Sequence, residues 1–346
     1  MSEEEGIFVG SGSFLVDRSR ALDKLMRFQL PNPAAFALAW ARCASASGAS
    51  HFSVTAHAGV LTAAFDGRPL TAAELEDPYR CLFEKRTKAT DRNRQLAVGL
   101  LSLLRLKPAS IVLTSGRGTE RRRLRVESLE SEDFEPAAEG DETILTASWP
   151  ELSFATAREA ADLVRSGCVL SPMEISVDGV VLPGWAEGGD GRQYFQEGPE
   201  SRGWVAVPRD AGEESELELC WHGTVIEKIS IKLPLVQVRG AINDDGFTLN
   251  ASQAGVVRDA RFTAALKRFS EPARALIVST ARSLAAAPVG PVLQNPYYRR
   301  RWRETLELGR DDALARPFES VINVAHTLWT MASNLDITAK EEPLIL

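Results

Sequence analysis

Between Pro33 and Phe65 the chain contains no Asp, Glu, Asn or Gln. Side chains of that segment therefore offer no carboxylate or amide oxygen to a metal and no carboxylate base to a water. Cysteine is scarce as well: four in 346 residues, with no C-x-x-C spacing. Cys43, Cys81, Cys168 and Cys220 are scattered and read as reduced thiols of a cytoplasmic protein. The four histidines, His51, His57, His222 and His326, show no ligand spacing, which argues against a zinc site. No apolar run approaches the length needed to span a bilayer, and the acidic start MSEEE is unlike a signal peptide, so no membrane partner is expected. The net charge of −7 gives no global attraction to nucleic acid or anionic lipid.

What is present is an ordinary globular composition, 44% apolar and 25% charged, on a chain long enough for two domains. The most informative stretch runs from Pro33 to Leu70. Pro33 suits a first helical turn, and Phe36, Trp40 and Cys43 fall at helical spacing on one face. Gly48 is placed to stop that helix. Phe52, Val54 and Ala56 then alternate with Ser53, Thr55 and His57 as in a half-buried strand, and a second strand ends at Asp66-Gly67.

This order resembles the ATP-binding domain of the GHKL superfamily, which includes DNA gyrase B, the ninety-class heat-shock chaperones, histidine kinases and MutL. The resemblance implies a two-layer α/β sandwich of the Bergerat type over residues 1–150. A ribosomal-S-five-like α/β domain would follow over 151–270, with a helical C-terminal segment at 271–346. It also implies where a nucleotide site would lie, and there the chain departs from the family. Ala39 stands where the family has its water-activating Glu, Cys43 where it has the magnesium-holding Asn, and Ala46 where it has an adjoining Asp. In the Asp-x-Gly-x-Gly turn, Phe65 replaces the adenine-reading Asp and Pro69 the second Gly, while Asp66 and Gly67 remain at the turn. Gly99 survives from the second glycine motif, but Arg94-Gln95-Leu96-Ala97 replaces its glycine-rich lead-in. TLNAS at 248–252 is followed by Gln253 in place of the cation that reaches the γ-phosphate; Arg258 lies further along. Trp40 and Phe65 either fill the adenine space or pack in the core below it.

The rest of the chain is read more briefly. Asp17 caps a helix whose apolar face is Ala21, Leu22, Leu25 and Met26, and Thr71 caps a short helix through Glu74 and Leu75. Residues 110–115 and 143–148 are strands of a mostly antiparallel sheet covered by helices on one face, with an acidic loop at 130–142. Arg121, Arg122, Arg123 and Arg125 alternate with apolar residues as an exposed strand face. Residues 154–168 are an amphipathic helix opening the second unit, Asp178-Gly179 turns a hairpin, and 186–201 reads as a loop. Strands follow at 203–207, 216–222 and 224–232, then a helix over 261–287. Arg299, Arg300, Arg301 and Trp302 form a basic-aromatic patch that favours a protein partner over single-stranded nucleic acid.

The expectation is a non-catalytic, heat-shock-protein-ninety-like pseudo-ATPase with no cofactor, serving as a protein-binding or scaffolding module. Its partner is unnamed, and homodimerisation through the N-terminal strand or last helix fits the family. Two alternatives stay open: a divergent chaperone that binds ATP with magnesium and retains some ATPase activity, and a nucleic-acid-binding protein gripping through Arg299–Arg301.

Overall fold

Burial alternates so regularly along four central strands that the covered side of the larger sheet can be read from it. Phe52 and Val54, Leu61, Ala63 and Phe65, Ile111 and Leu113, and Leu145 and Ala147 are all buried, while their sequence neighbours are partly exposed. The computed structural model describes residues 17–129, 132–149, 154–187, 192–206, 215–231 and 238–286. Within these the chain is mixed α/β with two sheets.

The first sheet contains β1 (His51–His57), β2 (Val60–Phe65), β3 (Ser110–Ser115), β4 (Arg122–Val126), β5 (Glu132–Pro136), β6 (Thr143–Ser148), β7 (Glu174–Val177) and β8 (Val180–Val181). Their order is β5-β4-β3-β6-β2-β1-β7-β8, antiparallel throughout except where β7 runs parallel to β1. The β1–β2 turn is Ala58-Gly59 and the β7–β8 turn Asp178-Gly179, all four with positive φ, the conformation that matches the twist of tight hairpins. One face carries α1 (Arg18–Phe28), α2 (Phe36–Ala46), α3 (Ala72–Glu76), α4 (Lys88–Leu104) and α5 (Phe154–Gly167). Asp17 caps α1 through the backbone N–H of Arg20, and Thr71 with Glu74 forms a reciprocal capping box on α3.

Helix α2 is the centre of this layer. Every residue from Phe36 to Ala44 is buried, so the helix has no solvent face, only sides turned to α4, α5 and the sheet. Its alanines let those neighbours approach closely. The nearest approach is to α4, where a Cβ added to Gly99 would lie 2.5 Å from Trp40 Nε1 and 3.4 Å from the Phe36 carbonyl oxygen.

The second sheet has order β12-β11-β13-β10-β9, from β9 (Gln193–Glu197), β10 (Ser201–Ala206), β11 (Ser215–Trp221), β12 (Thr224–Ile231) and β13 (Arg239–Asp244). Helix α6 (Ala260–Ala286) covers one face with Phe262, Ala265, Phe269, Ala273 and Leu276, spaced by three and four residues. Buried Asp244 holds the helix to β13 through Arg261 and Arg268.

The structure departs from the sequence reading at several points. Helix α5 packs on α2 and β1, and β7 joins the first sheet, so residues 154–181 belong to the first layer. Parallel pairing to β1 is invisible locally because it joins residues more than a hundred positions apart. Helix α6 likewise runs through the expected division at 270–271. Part of the expected acidic loop is β5, which sets Glu135 and Asp133 opposite Arg123 and Arg125 across the ladder. Part of the expected loop at 186–201 is β9. Arg121 is buried rather than exposed, donating to the Gly116 carbonyl. The N-terminal strand, Arg299, Arg300, Arg301, Trp302 and the last helix lie outside the described residues. No helix among the described residues is long and apolar enough to cross a membrane.

The contact at Gly99 yields a stability prediction. Gly99→Ala should lower the denaturation midpoint by an amount equivalent to about 1–3 kcal/mol, the usual cost of forcing one methyl into a packed core. Equilibrium urea unfolding measures it, and an unchanged midpoint would contradict the close packing.

Candidate functional site

The residues of interest lie where α2, the turn after β2 and the first half of α4 meet. Helix α4 starts at Lys88, capped by Thr87, because nothing between Thr87 and Val98 is Gly or Pro to interrupt it. Arg94 to Ala97 are therefore inside the helix, and their backbone N–H groups are spent on its ladder. A phosphate cradle needs such groups free and unshielded.

The Asp66-Gly67 turn has a structural task. The Asp66 carboxylate accepts from Ser50 N–H at 2.7 Å, Ser50 Oγ at 2.6 Å and His51 N–H at 3.1 Å, tying the end of β2 to the start of β1. Burial opposes its ionisation, but those donors outweigh it and hold its pKa below the usual carboxylate range. Gly67 has φ +93°, and a Cβ there would meet Ala49 N and Ser47 O at 2.9 Å. Only glycine fits so near the end of α2.

Residues at the altered positions are apolar in setting as well as in kind. Ala39 packs with Leu30 and Val98. Cys43 is fully buried, and burial pushes its thiol up to about 12. Phe65 and Trp40 both belong to the main core, Trp40 edge-on to Phe36 with centroids 4.8 Å apart. Gly99 meets α2 at Trp40, whereas Asp66 and Gly67 meet it near Ser47, about 10 Å further along the helix at ~1.5 Å rise per residue. Gly99 and the Asp66-Gly67 turn therefore do not converge on one spot. Gln253, in the segment after β13, receives a hydrogen bond on Oε1 from Gln95 Nε2 of α4 at 3.2 Å. Nearby, Leu30 N–H donates to the Ser252 carbonyl at 2.9 Å. The second unit thus touches α4 through an uncharged amide.

The polar centre of the region was not singled out by sequence. Arg92 is 2% exposed, and its Nη1 donates to the carbonyls of Arg68 and Pro69, both at 3.1 Å. Its Nη2 grips both Glu74 oxygens at 2.5 Å, and Asn93 Nδ2 adds a bond to Glu74 at 2.8 Å. Burial raises the Glu74 pKa, but the Asn93, Thr71 and Arg92 donors outweigh it and leave it lowered. The only local signal was Glu74 at the capping-box position, which hides its second partner. Arg42 on α2 is equally buried and has a bond from Nε to the Leu38 carbonyl, but its Nη1 has no partner. Burial brings its pKa down to about 10.

Chemically, the arrangement closes a space rather than opening one. A magnesium-bound triphosphate would find no carboxylate or amide ligand on α2, an indole against Gly99, and a guanidinium already occupied by carbonyls and a carboxylate. The residues do not fit that cofactor. Among the described residues no group of three His, Cys, Asp or Glu is placed to hold a metal ion. Arg299, Arg300, Arg301 and Trp302 fall outside the description. No protein-family model matches the chain, and no curated protein does either.

The seam between the units contains a titratable group. In the β11–β12 turn, His222 has φ +49° and its N–H bonds Asp245 at 3.0 Å. The Arg86 guanidinium lies 5.2 Å over the neighbouring Trp221 ring and bonds Asp91 at 2.8 Å. Burial lowers the His222 pKa, opposed by Asp245 and Asp91 and supported by Arg42 and Arg202.

Two outcomes follow from this geometry. Arg92→Met should destabilise the protein by about 3 kcal/mol, since it strands Glu74 and two carbonyls, and chemical denaturation would reveal a smaller loss if the pair were idle. A lowered histidine pKa favours the neutral folded form, so its contribution is complete above the ordinary value near 6.5 and is lost as the pH falls below it. Unfolding midpoints from pH 7 to 5 should therefore decline less in His222→Gln than in the parent protein.

Proposed function

We propose that this chain is a GHKL-like protein with a degenerate nucleotide site, working as a non-catalytic protein-binding or scaffolding module in the cytoplasm. What supports this is the succession of α2, the β1–β2 hairpin, the Asp66-Gly67 turn and α4, followed by a second α/β unit whose Gln253 meets α4. The S-five-like character of that second unit is part of the same proposal. The observation that carries the loss of nucleotide chemistry is the seating of Trp40 against Gly99. Phosphoryl transfer rests on positioning and charge stabilisation by metal and cations. An oriented base alone supplies about 10²–10⁴-fold of rate, and Ala39 has no group to act as one.

With catalysis gone, two units joined by a polar seam retain the means to present surfaces to another protein and to alter their relative angle. Titration calorimetry with Mg-ATP on the full chain tests the proposal. No saturable heat is expected, and a Kd near 1 μM, about −8 kcal/mol, would overturn it in favour of a working ATP-binding chaperone.

A further inference from the structure

The face of the second sheet opposite α6 borders a cavity of about 460 Å³. Its polar lining includes Arg192, just before β9, Trp204 of β10, Glu216 and Glu218 of β11, Lys228 and Ser230 of β12 and Arg239 of β13. The antiparallel register sets Trp204 opposite Ala241 and Ala206 opposite Arg239. Arg239 is thus the diagonal neighbour of Trp204 on one face, within reach of a long side chain. In the parallel pairing of β11 with β13, Glu216 stands beside Arg239.

Hydrogen bonding in this cavity is uneven. Lys228 and Glu218 are paired at 2.7 Å. Trp204 is only 7% exposed, yet its Nε1–H has no acceptor, and the buried Nε–H groups of Arg192 and Arg239 lack one too. The Arg192 guanidinium lies 4.2 Å over the Trp204 ring, a stack that leaves its in-plane N–H groups directed sideways. Native folds leave few buried polar groups unpaired, so three at one cavity ask for a partner. All three are donors, which calls for an acceptor. Two are on guanidinium edges, whose fork matches a planar oxyanion.

Charge narrows the choice. Lys228 cancels Glu218, leaving Arg192 and Arg239 against Glu216 beside Arg239, a surplus of one positive charge. That surplus suits a single negative charge, and Glu216 repels a second. Val169 and the Trp204 ring give the same cavity an apolar wall. Its size falls within the range of about 300–1,000 Å³ common to small-molecule sites. We propose that this cavity is a binding site for a small organic monocarboxylate, its carboxylate accepting from Trp204, Arg192 and Arg239 and its apolar body lying along Val169 and the Trp204 ring. The proposal is independent of the nucleotide reading, since none of these residues belongs to the first sheet.

Isothermal titration of the full chain with phenylacetate, and in parallel with inorganic phosphate, tests it. Phenylacetate should bind one to one with a Kd of about 1 mM or tighter, and phosphate more weakly. Arg239→Gln should weaken phenylacetate by about tenfold or more, and Trp204→Phe, which keeps the ring and removes the N–H, by several-fold. Thermal melting checks that each variant stays folded, and Arg239→Gln, being only partly buried, keeps the test usable if Trp204→Phe does not. Absence of saturable heat, tighter binding of phosphate, or affinity unchanged in folded Arg239→Gln would each overturn the assignment.

Discussion

The indole of Trp40 lies against the bare Cα of Gly99, and that approach governs the layer around it. It brings α2 and α4 together with no room between them for more than side-chain atoms, which is why α2 is buried on every side. The helix in that position is alanine-rich, and Arg42 is its one charged side chain. A carboxylate at Ala39 or Cys43 would be desolvated between Leu30, Val98 and the sheet, at a cost only a strong partner could offset. The absence of acidic and amide residues from Pro33 to Phe65 and the tight helix packing are therefore two views of one constraint.

Polar groups have been moved to the margins of that packing, where they act as fasteners. Asp66 joins two strand ends, and Arg92 with Glu74 and Asn93 binds the turn after β2 to α3 and α4. Each donor and acceptor has a protein partner, so neither cluster is left with a hydrogen bond to offer a ligand. The second sheet differs. Its α6 face ties Arg261 and Arg268 to Asp244, while its opposite face keeps three unpaired donors around one cavity.

Between the two sheets the contacts are uncharged or shared: Gln95 with Gln253, Leu30 with Ser252, and Arg86 over Trp221. Lys88 with Glu200 is an exposed ion pair at the rim of the seam. Such a seam holds by shape and hydrogen bonds of modest strength and responds to the charge on His222.

Local signals determined much of the first layer. Proline and glycine placed the ends of α2, period-two alternation gave β1, β2, β3 and β6, and Asp17 and Thr71 marked helix starts, because each depends on neighbours within a few residues. The absence of acidic and amide side chains from residues 33–65 was also legible, since it is a matter of residue identity. Only the tertiary structure decided what pairs over long distance: β7 beside β1, the acidic β5 against the arginines of β4, Arg92 upon Glu74, Gln95 upon Gln253, and the orphan donors gathered around Trp204. Sequence fixes each group's chemistry, but whether a charge ends up solvated, paired or stranded depends on which distant segment is folded against it, and no local pattern encodes that.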